Sequence, residues 1–236
     1  MSELSVLKVK ICGTTSPEDA VMAQEAGVDF IGLLVDVPFS SRSVSMGGAV
    51  RIASAVDIPI VTVIYGMTVS DIMELDRTLR PHAIQLMDDS PPGRVLLLSK
   101  LIKAEIWKSF FLPPGNVMNV ERYEKTVEKM SKIMINYVKS GVKVILIDTA
   151  IPDKRGGTGR RHDWRIASEL IRRAGVPVFL SGGIRPENVA EAVCLVNPYG
   201  VDLCSGVECK PGKRDPMKLK KLMDEVNRLT GGIVSP

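Results

Sequence analysis

The stretch Leu7-Lys8-Val9-Lys10-Ile11-Cys12-Gly13-Thr14-Thr15-Ser16-Pro17-Glu18-Asp19 holds a complete strand-to-helix transition. Val6, Leu7, Val9 and Ile11 form an apolar run that reads as a strand over Leu7–Ile11, and Gly13 breaks it. Ser16-Pro17-Glu18-Asp19 then supplies an N-cap, a proline at the first helical position and an acidic first turn. The helix continues through Ala20–Ala26 and stops at Gly27, a natural residue for a left-handed helix terminus. Cys12 thereby sits at the carboxyl end of a buried strand.

The same unit recurs along the chain. Strands are expected at Phe30–Val35, Ile58–Ile64, Ala83–Leu86, Ala104–Phe110, Val142–Ile147, Val178–Leu180 and Val201–Cys204. Between them lie helical patterns at Ala49–Ala55, Ser70–Leu79, Gly93–Leu101, Glu121–Lys139, Asp163–Ala174, Pro186–Val193 and Pro216–Leu229. Strands that alternate with helices and carry no hairpin signals belong to a parallel sheet. Eight such units, joined by right-handed crossovers, close into an α/β (β/α)8, or TIM, barrel. An open doubly wound sheet is the rival, but no GxGxxG follows the first strand. The whole of residues 1–236 reads as one domain, with 230–236 a frayed tail.

Composition narrows the function classes. A net charge of +4, spread along helices, with 5% aromatic residues gives no stacking or phosphate-tracking surface for nucleic acid. No apolar run reaches the roughly 18 residues of a membrane span, and the first residues do not resemble a signal peptide, so a cytoplasmic protein is expected. Cys12, Cys194, Cys204 and Cys209 lack CxxC spacing and are joined by only two histidines, His82 and His162, which argues against a metal site.

In a barrel of this type chemistry gathers where the strands end. Cys12 follows strand one and Asp148 follows strand six, so a thiol and a carboxylate face each other across the mouth. Ser181-Gly182-Gly183-Ile184 follows strand seven and Cys204-Ser205-Gly206-Val207-Glu208 follows strand eight. Glycines in these adjacent loops let backbone N–H groups approach an anion, and this is the recurrent phosphate site of the fold. Gly156-Gly157-Thr158-Gly159-Arg160 falls in the loop after strand six, over the expected substrate. Arg42, in the long loop after strand two, is placed to bind a carboxylate; as an isolated arginine it reads equally well as a solvated one.

Taken together, Lys10-Ile11-Cys12-Gly13, Ser40–Ser45, Leu146-Ile147-Asp148-Thr149, Gly156–Gly159 before Asp163-Trp164, Ser181–Ile184, Ser205-Gly206-Val207-Glu208 and Pro211–Pro216 resemble phosphoribosylanthranilate isomerase of tryptophan biosynthesis. The resemblance runs from about residue 7 to 227, with the motifs in order. It implies an Amadori rearrangement of N-(5-phosphoribosyl)anthranilate, with Cys12 as general base and Asp148 as general acid. It places Lys10, Arg42, Gln85, Gly157 and Gly159 at the substrate, Arg42 on the anthranilate carboxylate, and Gly182, Gly183, Ser205 and Gly206 on the phosphate. Lys10 is expected to favour the Cys12 thiolate. Neither proton transfer requires a metal or an organic cofactor. The partner is a small phosphorylated sugar, with neither nucleic acid nor membrane, and the chain is a monomer or homodimer.

The chain departs from the family at Met87-Asp88, where His-Gly is usual, at Val61-Thr62-Val63-Ile64-Tyr65, at Ser43 and at His162. These positions are expected to rim the aromatic half of the substrate. Two other readings stay open: a paralogous phosphate-binding isomerase or lyase acting on another phosphosugar amine, and a non-catalytic barrel that binds a phosphorylated metabolite.

Overall fold

The computed structural model describes residues 7–117, 119–151, 154–155 and 159–231. Its parallel strands are β1 (Lys8–Cys12), β2 (Phe30–Val35), β3 (Ile60–Ile64), β4 (Ala83–Leu86), β5 (Glu105–Leu112), β6 (Val142–Ile151), β7 (Val178–Leu180) and β8 (Gly200–Leu203). Each pairs with the next in chain order, and β8 pairs with β1, so the eight strands close into a barrel. The helices that return the chain are α1 (Pro17–Glu25), α2 (Met46–Ala53), α3 (Val69–Leu79), α4 (Pro92–Leu101), α5 (Val120–Lys139), α6 (Trp164–Ala174), α7 (Val189–Val196) and α8 (Pro216–Leu229). Among the described residues no helix is long and apolar enough to cross a membrane.

Because side chains alternate along a strand, each one builds two cores. The outward set, including Ile11, Ile31, Leu33, Ile84, Ile145, Ile147, Val201 and Leu203, packs beneath helix residues such as Ala20, Ile52, Leu75, Leu170 and Leu222. The inward set fills the barrel in layers. Its lower end is closed by Val61, Ala83, Trp107, Val144, Leu146 and Phe179, with Phe30 and Tyr199 against them. Trp107 stacks on Phe179 with ring centres 5.4 Å apart, and Phe30 meets both edge-on at 5.3 and 5.9 Å. Such arrangements suit the aromatic quadrupole. The middle layer is polar (Lys10, Gln85, Ser109, Ser181 and Asp202) and all five are buried.

Local signals explain most boundaries. Ser16 Oγ accepts the Asp19 N–H at 3.2 Å, and Gly175 ends α6 in the left-handed region at φ +70°. Two helices differ from expectation. Helix α2 starts earlier, at Met46, because Ser45 Oγ accepts the Gly48 N–H at 3.2 Å and caps it through two glycines. Helix α7 starts later, at Val189, because Asn188 Oδ1 accepts the Arg185 N–H at 2.9 Å and holds the preceding residues in a turn. The expected absence of hairpins does not hold: Glu208–Lys210 pairs antiparallel with Lys213–Arg214 around Pro211-Gly212, and the end of β6 pairs antiparallel with Lys154–Arg155. Of the expected frayed tail, residues 232–236 lie outside the described residues.

Trp107→Ala removes the centre of the aromatic floor and is expected to cost about 3–5 kcal/mol of stability, read from urea unfolding. A loss below about 1 kcal/mol would show that the floor does not hold the barrel.

Candidate active site

The mouth of the barrel holds a cavity of about 360 Å3. Strand ends and βα loops supply its wall: Cys12, Arg42, Gln85, Ser109, Asp148, Gly159, Ser181, Gly182, Gly183, Asp202, Cys204 and Ser205 on the polar side. Leu34, Phe39, Val63, Met87 and Phe111 form an apolar side. Phe39 is braced edge-on by Tyr65 at 4.9 Å. One cavity thus joins an apolar cup to a polar trough.

Cys12 ends β1, and its thiol lies directly above Lys10. The Lys10 side chain is wholly buried, with Nζ donating to Asp202 Oδ1 at 3.0 Å. Its charge also acts on the Cys12 thiol. Gly32 on β2 makes room for this pair: a Cβ there would lie 3.0 Å from both Cys12 Sγ and Lys10 Nζ. Burial would strip the charge from Lys10, but its neighbours, Asp202 foremost, outweigh it and raise its pKa. Burial pushes the Cys12 thiol up, and Lys10 and Arg214 pull against that without reversing it. The resting thiol is therefore protonated, and Lys10 moderates its pKa rather than setting it.

Asp148 stands on β6, three inter-strand steps from β1 by way of β8 and β7. At about 4.8 Å per step, that leaves room for a sugar between the two backbones. Burial raises the Asp148 pKa to about 7, against the restraint of the Thr149 N–H, which donates to Oδ1 at 2.6 Å. Asp202 adds to the upward push. A carboxyl group of this kind carries a proton near neutral pH and can donate it.

Between β7 and β8 the two glycine loops meet. Gly206 stands in a short 3-10 turn (Ser205–Val207), where a Cβ would lie 2.1 Å from the Ile184 carbonyl oxygen. Only glycine lets the loops seat so closely, and Gly182, Gly183 and Ser205 face the cavity beside that seam. Arg42 reaches the cavity from the loop after β2. Its Nε and Nη2 donate to Glu208 Oε1 and Oε2 at 2.8 and 2.6 Å.

Comparison with known proteins gives this geometry its family. The family model described as N-(5'phosphoribosyl)anthranilate (PRA) isomerase matches residues 9–225. The chain belongs to that family. It is 39% identical to N-(5'-phosphoribosyl)anthranilate isomerase of Methanopyrus kandleri, over 89% of this chain and 94% of that one. The structure of phosphoribosyl anthranilate isomerase from Thermococcus kodakaraensis superimposes with a TM-score of 0.78 at 29% identity, covering 94% of this chain and 99% of that one. A phosphoribosyl anthranilate isomerase in complex with reduced 1-(o-carboxyphenylamino)-1-deoxyribulose 5-phosphate superimposes with a TM-score of 0.73 at 27% identity, covering 94% and 99%.

Of the residues the resemblance named, Cys12, Arg42, Gln85, Asp148, Gly159, Gly182, Gly183 and Ser205 line one cavity, while Gly206 packs against Ile184 and is not part of that lining. Gly157 lies outside the described residues. Lys10 is corrected: it touches Cys12 and Asp202 from below and does not line the cavity. Two of the departures expected at the aromatic rim are corrected as well. His162 is fully buried, with Nδ1 2.9 Å from Thr149 Oγ1 and its pKa lowered to about 4 by burial. The Ser43 hydroxyl accepts the Val37 N–H at 2.8 Å and shapes the loop instead. Met87 and Val63 do stand on the apolar wall. Ser109 and Asp202 escaped sequence reasoning, and Ser181 entered it only as the start of the glycine loop. Ser181 Oγ donates to Asp202 Oδ2 at 3.0 Å, and Gln85 Nε2 donates to Ser109 Oγ at 2.9 Å. Period-two alternation inside β5, β7 and β8 is the signal that places them inward. Among the described residues no cluster of three or more His, Cys, Asp or Glu side chains is arranged to hold a metal ion.

The raised Asp148 pKa has a consequence for stability. The folded protein holds a proton there up to about pH 7, whereas an unfolded aspartate loses it near pH 3.9, so stability falls as pH rises between those values. Asp148→Asn removes this penalty. The variant is expected to melt higher than the parent at pH 8 and to lose that advantage at pH 4; equal melting temperatures at pH 8 would contradict the raised pKa.

Proposed function

We propose that this chain catalyses the Amadori rearrangement of N-(5'-phosphoribosyl)anthranilate to 1-(2-carboxyphenylamino)-1-deoxyribulose 5-phosphate in tryptophan biosynthesis, with Asp148 as general acid and Cys12 as general base. The observation that carries these roles is a carboxyl group that remains protonated near neutrality, held across one cavity from a thiol seated on a buried ammonium.

The substrate spans the cavity lengthwise. Its phosphate lies on the backbone N–H groups of Gly182, Gly183, Ser205 and Gly206, where the loop after β7 and the 3-10 turn after β8 converge. Its aromatic ring enters the cup of Leu34, Phe39, Val63, Met87 and Phe111, with its carboxylate toward Arg42. The furanose is thereby held between Asp148 and Cys12. Fixing both ends of a small substrate removes much of the entropic barrier to the proton transfers between them.

Asp148 gives its proton to the ring oxygen as the C1'–O bond breaks, and the nitrogen lone pair forms the C1'=N iminium. Cys12 then takes the proton from C2'. The electrons of that C–H bond form the C1'=C2' double bond and neutralise the iminium, giving an enolamine that tautomerises to the ketone. The resting thiol is protonated, so it first passes its proton to water at the mouth of the cavity, and the positive charge of the iminium favours that loss. Lys10 beneath the sulfur and the cation above it both favour the thiolate, and this favour arises only after ring opening. Gln85 lines this reaction space, and its Oε1 is buried without a hydrogen-bond partner.

Loss of phosphoribosylanthranilate fluorescence tests the reading. Cys12→Ala and Asp148→Asn are each expected to lower kcat by about 10²–10⁴-fold while leaving the affinity for a phosphate-bearing product analogue within a few-fold. Near-parental turnover in either variant would remove that residue from its role.

A further inference from the structure

Arg42 meets Glu208 before any substrate arrives, and that pairing raises a charge problem. A carboxylate entering beside Arg42 would share one guanidinium with a second carboxylate. Two anions on one cation carry a net charge of −1, and in a site shielded from water their repulsion would cancel the attraction. The structure supplies a second cation. Arg214, whose side chain is wholly buried, places Nη1 3.3 Å from Glu208 Oε1. Its Nη2 donates to the Cys12 carbonyl oxygen at 2.6 Å and to Thr14 Oγ1 at 3.2 Å. The Gly212 N–H also donates to Glu208 Oε1, at 3.0 Å, and Cys204 Sγ lies 3.9 Å from it.

We infer that Arg42, Glu208 and Arg214 form one carboxylate-recognition unit, in which Glu208 aims Arg42 and Arg214 supplies the charge that frees Arg42 for the substrate. The unit carries +1 when empty and is neutral when the anthranilate carboxylate binds. The geometry supports the division of labour. Glu208 takes the Nε–Nη2 edge of Arg42, so both hydrogens of Nη1 and one of Nη2 are left for an end-on acceptor. Side-chain exposure falls from 11% at Arg42 to 4% at Glu208 and 0% at Arg214, so only the first meets the ligand. Glu208 and Arg214 are positioning residues. Arg214 also bonds the backbone of Cys12, so the same side chain secures the base-bearing strand end and the anchor for the aromatic acid.

This inference rests on the isomerase reading, and the test separates the two. Binding of reduced 1-(o-carboxyphenylamino)-1-deoxyribulose 5-phosphate is compared by calorimetry with that of its phenylamino counterpart, which lacks the carboxyl group. The parent is expected to favour the carboxylated ligand by at least about 10-fold, the scale of a charge-assisted hydrogen-bonded pair. Glu208→Gln is expected to cut that preference to about 3-fold or less, while binding the phenylamino ligand within about 2-fold of the parent. Equal weakening of both ligands would show a purely structural role, and an undiminished preference would show that Glu208 does not aim Arg42; either outcome overturns the inference. A parent protein that binds neither ligand would overturn the isomerase reading itself, and the inference with it. Should Glu208→Gln not fold, Glu208→Asp withdraws the carboxylate by one methylene. It is expected to show a smaller loss of the same preference, and an intact preference there overturns the inference too.

Discussion

One buried ion pair underlies the site. Lys10 lies inside the barrel with no exposure to water, and Asp202 on the adjoining strand is its counter-charge at 3.0 Å. Placing an ammonium in such surroundings costs several kcal/mol, and only a well-bonded partner offsets it. Asp202 gives one oxygen to Lys10 and the other to Ser181, which joins β1, β8 and β7 through their interior. The pair also sets the electrostatics above it. Its cation lies under the Cys12 sulfur, and its anion helps to keep the Asp148 carboxyl protonated. Each end acts on both groups, Lys10 lowering and Asp202 raising the pKa of Cys12 and of Asp148, while burial leaves both above their ordinary values.

Gly32 makes that tuning possible. Sulfur and ammonium occupy the space that any larger residue on β2 would fill with its Cβ. The constraint passes outward through β1 to the Cys12 carbonyl, then to Arg214 and Glu208, and so to Arg42. Cys12, Arg42 and the segment before α8 form one connected polar network through the side of the barrel that β1 and β8 share. The position of Arg42 is therefore tied to that of Cys12 by a chain of bonded neighbours.

What could be read in the chain followed from how local each signal was. The Ser16-Pro17 cap, the Gly27 and Gly175 stops and the β-branched runs act over a few residues, so the eight units and the barrel they build were legible. Cys12, Asp148 and the loop glycines were legible because they sit where strands end. Lys10 misled, because a lysine next to a reactive cysteine looks the same in sequence whether it points at the ligand or beneath the thiol. Only closure of β8 against β1 brings Asp202 to it. His162 was misplaced for a similar reason: its neighbours Asp163-Trp164 begin a helix near the mouth, yet its own side chain turns inward behind Thr149. Arg214 and Glu208 depended on a hairpin made largely of charged residues, which lacks the alternating apolar pattern that marks a strand.

The aromatic floor has a bearing on traffic. Trp107, Phe179, Phe30 and Tyr199 stop the barrel like a cork, so the chamber above them is closed at its lower end. Whatever enters at the mouth departs by the mouth. A product that keeps the phosphate and the carboxylate of its precursor keeps both of its moorings, and the next molecule waits outside until both let go. In a chamber closed below, arrival and departure share the same mouth.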